Sequence, residues 1–345
     1  MNWPVQIETV RRVLYINVSR IGDTLLVTPA VRAVAAAFPA AKITLLGHPK
    51  RAEVLQNLPF VAHVGSISKQ RAIWRGHFFG KPFDLAFVCG YDAPLLEYAL
   101  RVAKKVIAFR QPDEALNARL FRAIAYPAFQ MEHAVRIQLR LPGALDIAPA
   151  GEALAYCVSA PEIRWAQREL ARSLPSGAAP LIGLQVASFP TKAYRDWPLA
   201  HFIALVERIR LAWPRAHFLI FGGTEEKERT RALATHLGAA ATLYAGRLTL
   251  RQTAALMNAL DLYVGVDTGP THIMGALHRP MVALYHGYSP SRVLAPLDHP
   301  CAYPIDHPLA DLGATPETPM SAISVEQVWQ AVAQALAEHP PTVLA

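Results

Sequence analysis

The chain has 345 residues, of which 52% are hydrophobic and 17% are charged, with a mean hydropathy of +0.20. This composition excludes an intrinsically disordered protein, and the length favours two domains over one. The formal net charge of +8 points to an anionic partner.

The excess positive charge lies in the N-terminal half. Residues 1–180 contain 22 Lys and Arg against 13 Asp and Glu, whereas residues 181–345 contain 12 against 13. Such a polarised field favours nucleic acid, an acidic membrane surface, or an acidic glycan or lipid, and the alternative is a solvated basic surface with no specific partner. Because RNA-module, helix-turn-helix and zinc-finger patterns are absent from the sequence, we do not expect a nucleic-acid partner.

The cysteines and the apolar runs limit the cellular context. Cys89, Cys157 and Cys301 are far apart in the sequence, unlike the cysteines of a zinc site or a disulfide framework. No apolar run reaches the roughly 18 to 20 residues that a membrane-spanning helix needs. We therefore expect a cytoplasmic protein that is soluble or peripheral to a membrane.

Apolar runs of strand length alternate with helical patterns along the whole chain, which indicates parallel sheets built from βαβ units. The predicted strands of the first half are 13–18, 43–46 and 85–88, and its helices include 29–38 and 95–102. The predicted strands of the second half are 181–186, 218–221, 262–266 and 282–285. The fold class is therefore α/β, with two doubly wound, Rossmann-like domains.

A linker is predicted at residues 173–180, which are rich in Ser, Pro and Gly and poor in large apolar side chains. The predicted domains are residues 1–175 and 181–345. A final amphipathic segment, Val325 to Ala337, could pack on the second domain or back on the first.

The first strand is followed by a loop in which Asp23 is the residue of greatest interest. Ligands of open α/β sheets bind at the carboxyl ends of strands, and this loop, residues 19–24, occupies such a position. Gly22 permits a tight turn, while Asp23 or Thr24 could cap the following helix. No dinucleotide fingerprint follows a strand in this sequence, which argues against a dehydrogenase.

Three further loops follow strands of the second half. The loop from Asp267 leads into a helix through Gly269 and Pro270, and a helix N-terminus of this type attracts phosphate. His272 would lie in the first turn, as a phosphate donor or as a buried structural histidine. One of the other two loops is basic and contains Lys192 and Arg195. The remaining loop has two glycines followed by acidic residues. Together they predict a site for a nucleoside diphosphate.

These loops, in this order, resemble the heptosyltransferases of bacterial lipopolysaccharide assembly, glycosyltransferase family 9. The resemblance runs from about Arg12 to the C-terminal helix. It is most specific over residues 20–25, over Thr28-Pro29-Ala30, and over residues 266–272. It implies the GT-B fold, in which two Rossmann-like domains flank a cleft.

A further match is Arg195-Asp196-Trp197-Pro198, which resembles the family's basic-x-Trp-Pro element. Many relatives have lysine at the first position, so Arg195 and Lys192 compete for the same role at the phosphates. Trp197 is expected to support the loop by packing.

By this resemblance, the second domain binds the nucleotide sugar and the first binds the acceptor. The resemblance gives the donor-binding residues as Ser188, Thr191, Glu225, Glu226, Asp267, Thr268, Gly269, Pro270, Thr271 and His272. The acceptor-binding residues are Arg20, Gly22, Lys50, Arg51, Lys104 and Lys105. Other basic candidates for acceptor contact are Lys69, Arg71, Arg75, Arg119 and Arg122.

The resemblance implies an inverting transfer of heptose from ADP-heptose to a lipopolysaccharide core acceptor, with Asp23 as the general base. Arg195 or Lys192, His272 and backbone N–H groups would stabilise the leaving diphosphate. The sequence has no Asp-x-Asp element, and we expect neither a metal nor a cofactor beyond the nucleotide-sugar co-substrate. The expected partner is an anionic, lipid-linked glycan at the cytoplasmic face of the inner membrane.

Two alternatives remain open. The chain could be a family member that uses another nucleotide sugar, or another acceptor such as an O-antigen, a capsule or a protein. It could also be a non-catalytic relic that binds nucleotide or glycan.

Overall fold

The computed structural model describes residues 9–78, 80–128 and 130–341. The chain forms two compact units, and the division between them falls between Cys157 and Val158. The outermost residues of the predicted domains, 1–8 and 342–345, lie outside the described part.

The first unit contains a parallel sheet of six strands in its described part, in the order β3-β2-β1-β4-β5-β6. The strands are β1 (Arg12–Asn17), β2 (Lys42–Gly47), β3 (His63–Ser66), β4 (Phe83–Val88), β5 (Ala103–Phe109) and β6 (Arg122–Ile124). Five consecutive residues of β1 are buried, because helices cover both faces of such a sheet. The predicted strands and the α/β fold class are confirmed.

The helices of the first unit alternate with its strands. They are α1 (Ile21–Leu26), α2 (Thr28–Ala37), α3 (Lys69–Trp74), α4 (Ala93–Val102), α5 (Glu114–Asn117) and α6 (Ala134–Gly143). The Asp92 side chain caps α4 by accepting a hydrogen bond from the Leu95 N–H. The core lies between the sheet and its helices, where Leu14 and Val88 pack with Leu96.

The second unit repeats this plan in a six-stranded parallel sheet, again counted over the described residues, in the order β12-β11-β10-β7-β8-β9. Its strands are β7 (Leu181–Gln185), β8 (His217–Phe221), β9 (Ala241–Leu243), β10 (Leu262–Val266), β11 (Met281–Tyr285) and β12 (Ala302–Asp306). Its helices are α7 (Ala160–Ser173), α8 (Leu199–Ala212), α9 (Lys227–Leu237), α10 (Leu250–Met257), α11 (Gly269–Leu277), α12 (Ser291–Leu294) and α13 (Val325–Glu338).

The C-terminal helix α13 packs within the second unit. Its buried residues Val328, Val332 and Leu336 belong to the same core cluster as Phe202 and Leu284. Of the two placements considered from the sequence, the structure therefore shows the second domain, not a return to the first.

The division between the units lies before the predicted linker at 173–180. Helix α7 precedes that linker, yet it packs against α10 of the second unit. Arg251 of α10 makes a bidentate ion pair with Glu162 of α7, at 2.7 Å from Nε to Oε1 and 2.6 Å from Nη2 to Oε2. Ser159 adds its own N–H to the same carboxylate at 2.7 Å. The linker was placed too late because α7 is amphipathic and gives no sign in sequence of which core it covers.

Glu162→Gln should lower the free energy of unfolding by about 2 kcal/mol at neutral pH, since it breaks a partly buried pair. Burial alone would raise the pKa of Glu162, but the bonds from Arg251 and Ser159 lower that pKa from 4.5 to about 2. The pair therefore stabilises the fold above about pH 4.5, and its contribution is lost as the pH falls towards 2. Denaturant unfolding across this range measures the effect.

The matched control is Glu207→Gln, which breaks surface contacts with Arg210 and His236 in the same unit. We expect it to cost under about 0.5 kcal/mol. Equal losses in the two variants, or a difference that does not shrink at low pH, would contradict the role given to Glu162.

None of the described helices combines the length and the apolar composition needed to cross a bilayer.

Candidate active site

Three loops of the second unit leave the sheet at one edge. Strands β10, β7 and β8 are neighbours and run parallel, so the loops that follow them emerge side by side. They are the loops predicted from the sequence to carry the ligand. Their expected convergence is therefore seen in the structure.

Asp267, directly after β10, is at the centre of this edge. Arg195 Nη1, from the loop after β7, donates to Asp267 Oδ2 at 2.7 Å. His272 Nε2 lies 3.3 Å from the other carboxylate oxygen, Oδ1. The Asp267 side chain is only 1% exposed. Its two carboxylate oxygens face Arg195 and His272. The carboxylate positions these two side chains, and its expected contact with the donor stays a prediction.

The charge state of Asp267 follows from its neighbours. Burial by itself would raise its pKa, but the His272 ring N–H and the Arg195 guanidinium hold the pKa below its ordinary value. Asp267 is therefore an anion at neutral pH. A buried carboxylate of this kind fixes the positions of the groups that pair with it.

The N-terminus of α11 begins immediately after this carboxylate. Thr268 occupies the N-cap position without a side-chain capping bond, and Pro270 follows Gly269 in the first turn. Helix geometry leaves the N–H groups of Gly269 and Thr271 without a partner in the preceding turn. The Thr271 hydroxyl donates to the Val266 carbonyl at 2.5 Å, so it fixes the turn. The edge thus combines helix N–H groups with two basic side chains.

Lys192 and Arg195 lie close to one aromatic ring. The Lys192 ammonium is 5.4 Å and the Arg195 guanidinium carbon is 5.6 Å from the ring centre of Tyr194. Tyr194 in turn meets the buried His286, after β11, edge to face at 5.0 Å. Of the two, Arg195 pairs with Asp267, beside the N-terminus of α11.

The loop after β7 is braced by hydrogen bonds within the loop and by Arg229 of α9, which the sequence did not single out. The Ser188 N–H and hydroxyl both donate to Asp196 Oδ1, at 2.7 and 2.6 Å. The Arg229 guanidinium donates to the carbonyls of Val186 and Trp197. The Ser188 hydroxyl thus holds the loop, and its expected role in donor binding stays a prediction. Trp197 is fully buried, as its expected supporting role requires.

A pocket of about 380 Å³ lies between this loop and the start of α9, and Glu225, Glu226 and Arg229 are among the residues that line it. The Glu226 carboxylate accepts the N–H of Gly223 and closes the two-glycine turn. Burial and the nearby Glu225 raise its pKa. Glu225 is exposed in the pocket wall, and of the two carboxylates it is the better placed to meet a ligand. Thr191 is exposed on the loop after β7.

The corresponding edge of the first unit carries Asp23. Asp23 lies inside the first turn of α1, whose N-cap is Arg20, so the interpretation of Asp23 as the N-cap is wrong. The carboxylate is exposed and accepts the Ser19 hydroxyl at Oδ2, 2.8 Å away. Thr24 bonds to the Arg20 carbonyl through its hydroxyl at 2.7 Å. Gly22 is buried in the turn.

Asp23 faces a pocket of about 620 Å³ with a basic wall, whose lining includes Arg20, Arg51 and Lys69. Arg51 Nη1 donates to the Ser19 carbonyl at 3.0 Å, which ties the wall to the Asp23 loop. Burial lowers the pKa of His48, a further lining residue, and the charges of Arg51 and Lys50 lower it more. Lys50 itself is exposed next to this wall.

Lys104 and Lys105 do not join this group. They stand at the amino end of β5, whereas Asp23 follows the carboxyl end of the parallel strand β1. Lys104 pairs with Asp84 at 2.8 Å, and Lys105 lies 4.4 Å from the ring centre of Phe121. The sequence analysis noted Lys104 and Lys105 for their charge and predicted no strand there. The position of the two lysines at the opposite edge of the sheet could therefore not be predicted.

Within the part of the chain that the structure describes, no group of three His, Cys, Asp or Glu side chains is placed to hold a metal ion.

The sequence pattern of glycosyltransferase family 9 (heptosyltransferase) matches residues 103–303 of the chain. The chain is also 29% identical, over 326 residues, to lipopolysaccharide heptosyltransferase 1 of Pseudomonas aeruginosa. That match covers 84% of this chain and 85% of the relative.

Solved structures have the same fold. A family 9 glycosyltransferase from Veillonella parvula has a TM-score of 0.81 and 18% identity, over 95% of this chain and 97% of its own. ADP-heptose lipopolysaccharide heptosyltransferase II of E. coli has a TM-score of 0.78 and 22% identity, over 95% of this chain and 99% of its own. The E. coli heptosyltransferase WaaC with ADP has a TM-score of 0.70 and 18% identity, over 94% of this chain and 99% of its own. The chain belongs to glycosyltransferase family 9, the heptosyltransferase family, and is a glycosyltransferase with the GT-B fold.

Proposed function

We propose that this enzyme transfers a heptose from ADP-heptose to a hydroxyl of the lipopolysaccharide core, with inversion at the anomeric carbon. The observation that carries the proposal is the Arg195–Asp267–His272 cluster at the N-terminus of α11. The names of the relatives support the choice of substrates, since one is a lipopolysaccharide heptosyltransferase and a solved E. coli WaaC structure holds ADP-2-deoxy-2-fluoro heptose.

The second unit binds the donor in this proposal. As the bond to the sugar breaks, negative charge grows on the departing diphosphate, and fixed positive groups stabilise that charge. Arg195, His272 and the N–H groups of Gly269 and Thr271 supply them, with Lys192 as a second cation on the Tyr194 ring. Glu225 accepts hydrogen bonds from the ribose hydroxyls. These groups do what a divalent cation does in other transferases, and the enzyme needs no metal or further cofactor.

The first unit binds the acceptor and supplies the base. Arg20, Arg51 and Lys69 line the pocket that holds Asp23, and their charges suit the carboxylates and phosphates of an inner-core glycan. Asp23 takes the proton of the acceptor hydroxyl as that oxygen bonds to the anomeric carbon. The bond from this carbon to the diphosphate breaks on the opposite side, so one displacement inverts the configuration and releases ADP.

We infer that the acceptor is lipid-linked and that the enzyme works at the cytoplasmic face of the inner membrane. The basic first half supports this placement, because an anionic lipid surface attracts such a field.

The identity of the nucleotide is tested by the thermal stabilisation that ADP, GDP, UDP and their sugars produce. A ligand at 100 times its dissociation constant stabilises the folded state by ~2.7 kcal/mol. We expect ADP and ADP-heptose to stabilise most. Preference for GDP or UDP would indicate a different nucleotide sugar, and tight binding without turnover would indicate a non-catalytic relic.

His272→Ala should weaken ADP binding about tenfold and adenosine binding less than twofold, because the imidazole is proposed to contact the phosphates and not the nucleoside. Calorimetry with the two ligands isolates that contribution. The matched control is His236→Ala, an exposed histidine at the end of α9, which should change neither affinity. Equal losses for ADP and adenosine would remove His272 from the phosphate site.

A further inference from the structure

Three large apolar side chains are exposed together on the first unit. Ile73 and Trp74 end α3, and Phe78 follows shortly after, with 48%, 81% and 92% of their surfaces exposed. Large apolar groups clustered at a surface mark an interaction site far more often than single ones do.

Residues 72–76, which carry two of these side chains, are held in place by contacts with α4. Ala72 is buried, and Arg101 of α4 donates to the Ala72 carbonyl at 2.5 Å and to the Arg75 carbonyl at 3.1 Å. At Gly76 the backbone takes a φ of +84° and lies against Val102 and Tyr98, so a side chain there would clash. The exposed apolar residues are therefore fixed outward by contacts behind them.

The charges nearest to these residues in the sequence are basic, and the nearby acids, Glu97 of α4 and its N-cap Asp92, pair with Arg101 and Lys69. Arg71 and Arg75 are exposed beside them, and the sequence has no Asp or Glu between Glu53 and Asp84. Among the described residues no carboxylate forms an ion pair with either arginine. We define the docking surface as Arg71, Ile73, Trp74, Arg75 and Phe78.

This combination matches the interface of an anionic bilayer. Tryptophan and phenylalanine enter the headgroup region, while arginines beside them bind lipid phosphates. None of these five residues lines either pocket described above, so the surface itself offers no enclosed site for a small ligand.

The docking surface is continuous with the Asp23 pocket. Ser68, Lys69 and Gln70, which cap and begin α3, line that pocket. The same helix, about 9 Å long from its rise per residue, leads from the pocket wall to Trp74. A membrane that touches the docking surface would therefore lie beside the mouth of the pocket.

We propose that the docking surface seats the enzyme on anionic phospholipid, with Trp74 and Phe78 in the headgroup region and Arg71 and Arg75 on phosphates. The enzyme then presents the Asp23 pocket to an acceptor anchored in the same leaflet. This second step rests on the proposed function, whereas binding to the bilayer does not.

The test is flotation of the full chain with phosphatidylcholine vesicles, with and without 30% phosphatidylglycerol (about a third of the lipid, enough for a strongly negative surface). The wild type should float at least about tenfold better with the anionic vesicles. Trp74→Ser with Phe78→Ser should lower this binding at least about tenfold, through lost apolar burial. Arg71→Glu with Arg75→Glu should lower it at least about 20-fold, at roughly fivefold per charge.

Two matched controls lie in the second unit. Leu211→Ser with Leu312→Ser removes apolar side chains that are 83% and 71% exposed, and Arg164→Glu with Arg168→Glu makes the same charge change on α7. Both should bind within about twofold of the wild type. Equal flotation on the two vesicle types, or losses in the controls equal to those at the docking surface, would overturn the proposal. Normal flotation of the Trp74 and Phe78 variant would do the same and leave that surface to a protein partner.

Turnover separates this proposal from the proposed function. The Trp74 and Phe78 variant should act normally on a short, water-soluble acceptor glycan and lose at least about tenfold on an acceptor embedded in vesicles. Because flotation needs neither nucleotide nor turnover, it tests the docking surface even if the assigned sugar is wrong. Equal turnover of wild type and variant on the embedded acceptor would overturn the docking step alone.

Discussion

Asp23→Asn should lower turnover at least about 100-fold, the scale expected when a general base is lost. The amide keeps the shape of the side chain but cannot take the proton of the acceptor hydroxyl. ADP binding should be unchanged, because the groups proposed to hold ADP belong to the second unit. The unfolding temperature should change little, since the Asp23 carboxylate is exposed and accepts its hydrogen bond from the equally local Ser19.

Two variants control this result. Glu114→Gln changes another exposed acid in the first turn of a short helix of the same unit, and turnover should stay normal. Ser19→Ala removes the hydroxyl that orients Asp23 and should cost under about tenfold, since the carboxylate remains. Near-normal turnover of Asp23→Asn would show that another group is the base.

Arg195→Ala should lower turnover by about 10² to 10³, because it removes a cation from the departing diphosphate. The loss should appear mainly in kcat, since the charge on the diphosphate grows as the bond breaks. Arg195→Lys should recover part of the activity, as it restores the charge but not the paired donors. Lys192→Ala should cost less than Arg195→Ala, since Arg195 is the residue anchored on Asp267.

Arg195→Ala also leaves the buried Asp267 with one partner fewer, which destabilises the second unit. Unfolding must therefore be measured in the same samples. Arg210→Ala, a surface arginine of α8, is the control for removing an arginine from this unit. If Lys192→Ala cost more than Arg195→Ala, the assignment of the two residues would be reversed.

Much of this architecture could be predicted from the sequence because buried parallel strands have short, continuous apolar sequences. Strands β1, β7 and β10 are such runs, and the loops after them could be assigned to one edge of each sheet. Strand β5 was missed because it follows α4 with no turn residue between them and begins with Lys104 and Lys105. Strand β12 was missed because Pro304 lies inside it, a residue that only an edge strand tolerates.

The positions of the candidate site residues could be predicted where a motif follows a strand, and could not be predicted where a contact depends on a distant partner. Asp23, Arg195 and His272 stood out by position in their loops. Asp267 was found too, but its burial beneath two basic groups is a property of the fold. Arg229, which braces the loop through carbonyls 43 and 32 residues away, has no local sequence signal.

The most direct test is the product itself. Purified enzyme is incubated with ADP-heptose and a lipopolysaccharide core acceptor, and the acceptor is then analysed by mass spectrometry and its new linkage by NMR. We expect the mass of one heptose to be added, with the anomeric configuration opposite to that of the donor, and no product from Asp23→Asn above about a hundredth of the wild-type yield. A product with the donor's configuration, or no transfer although ADP-heptose binds, would contradict inverting heptosyl transfer at Asp23.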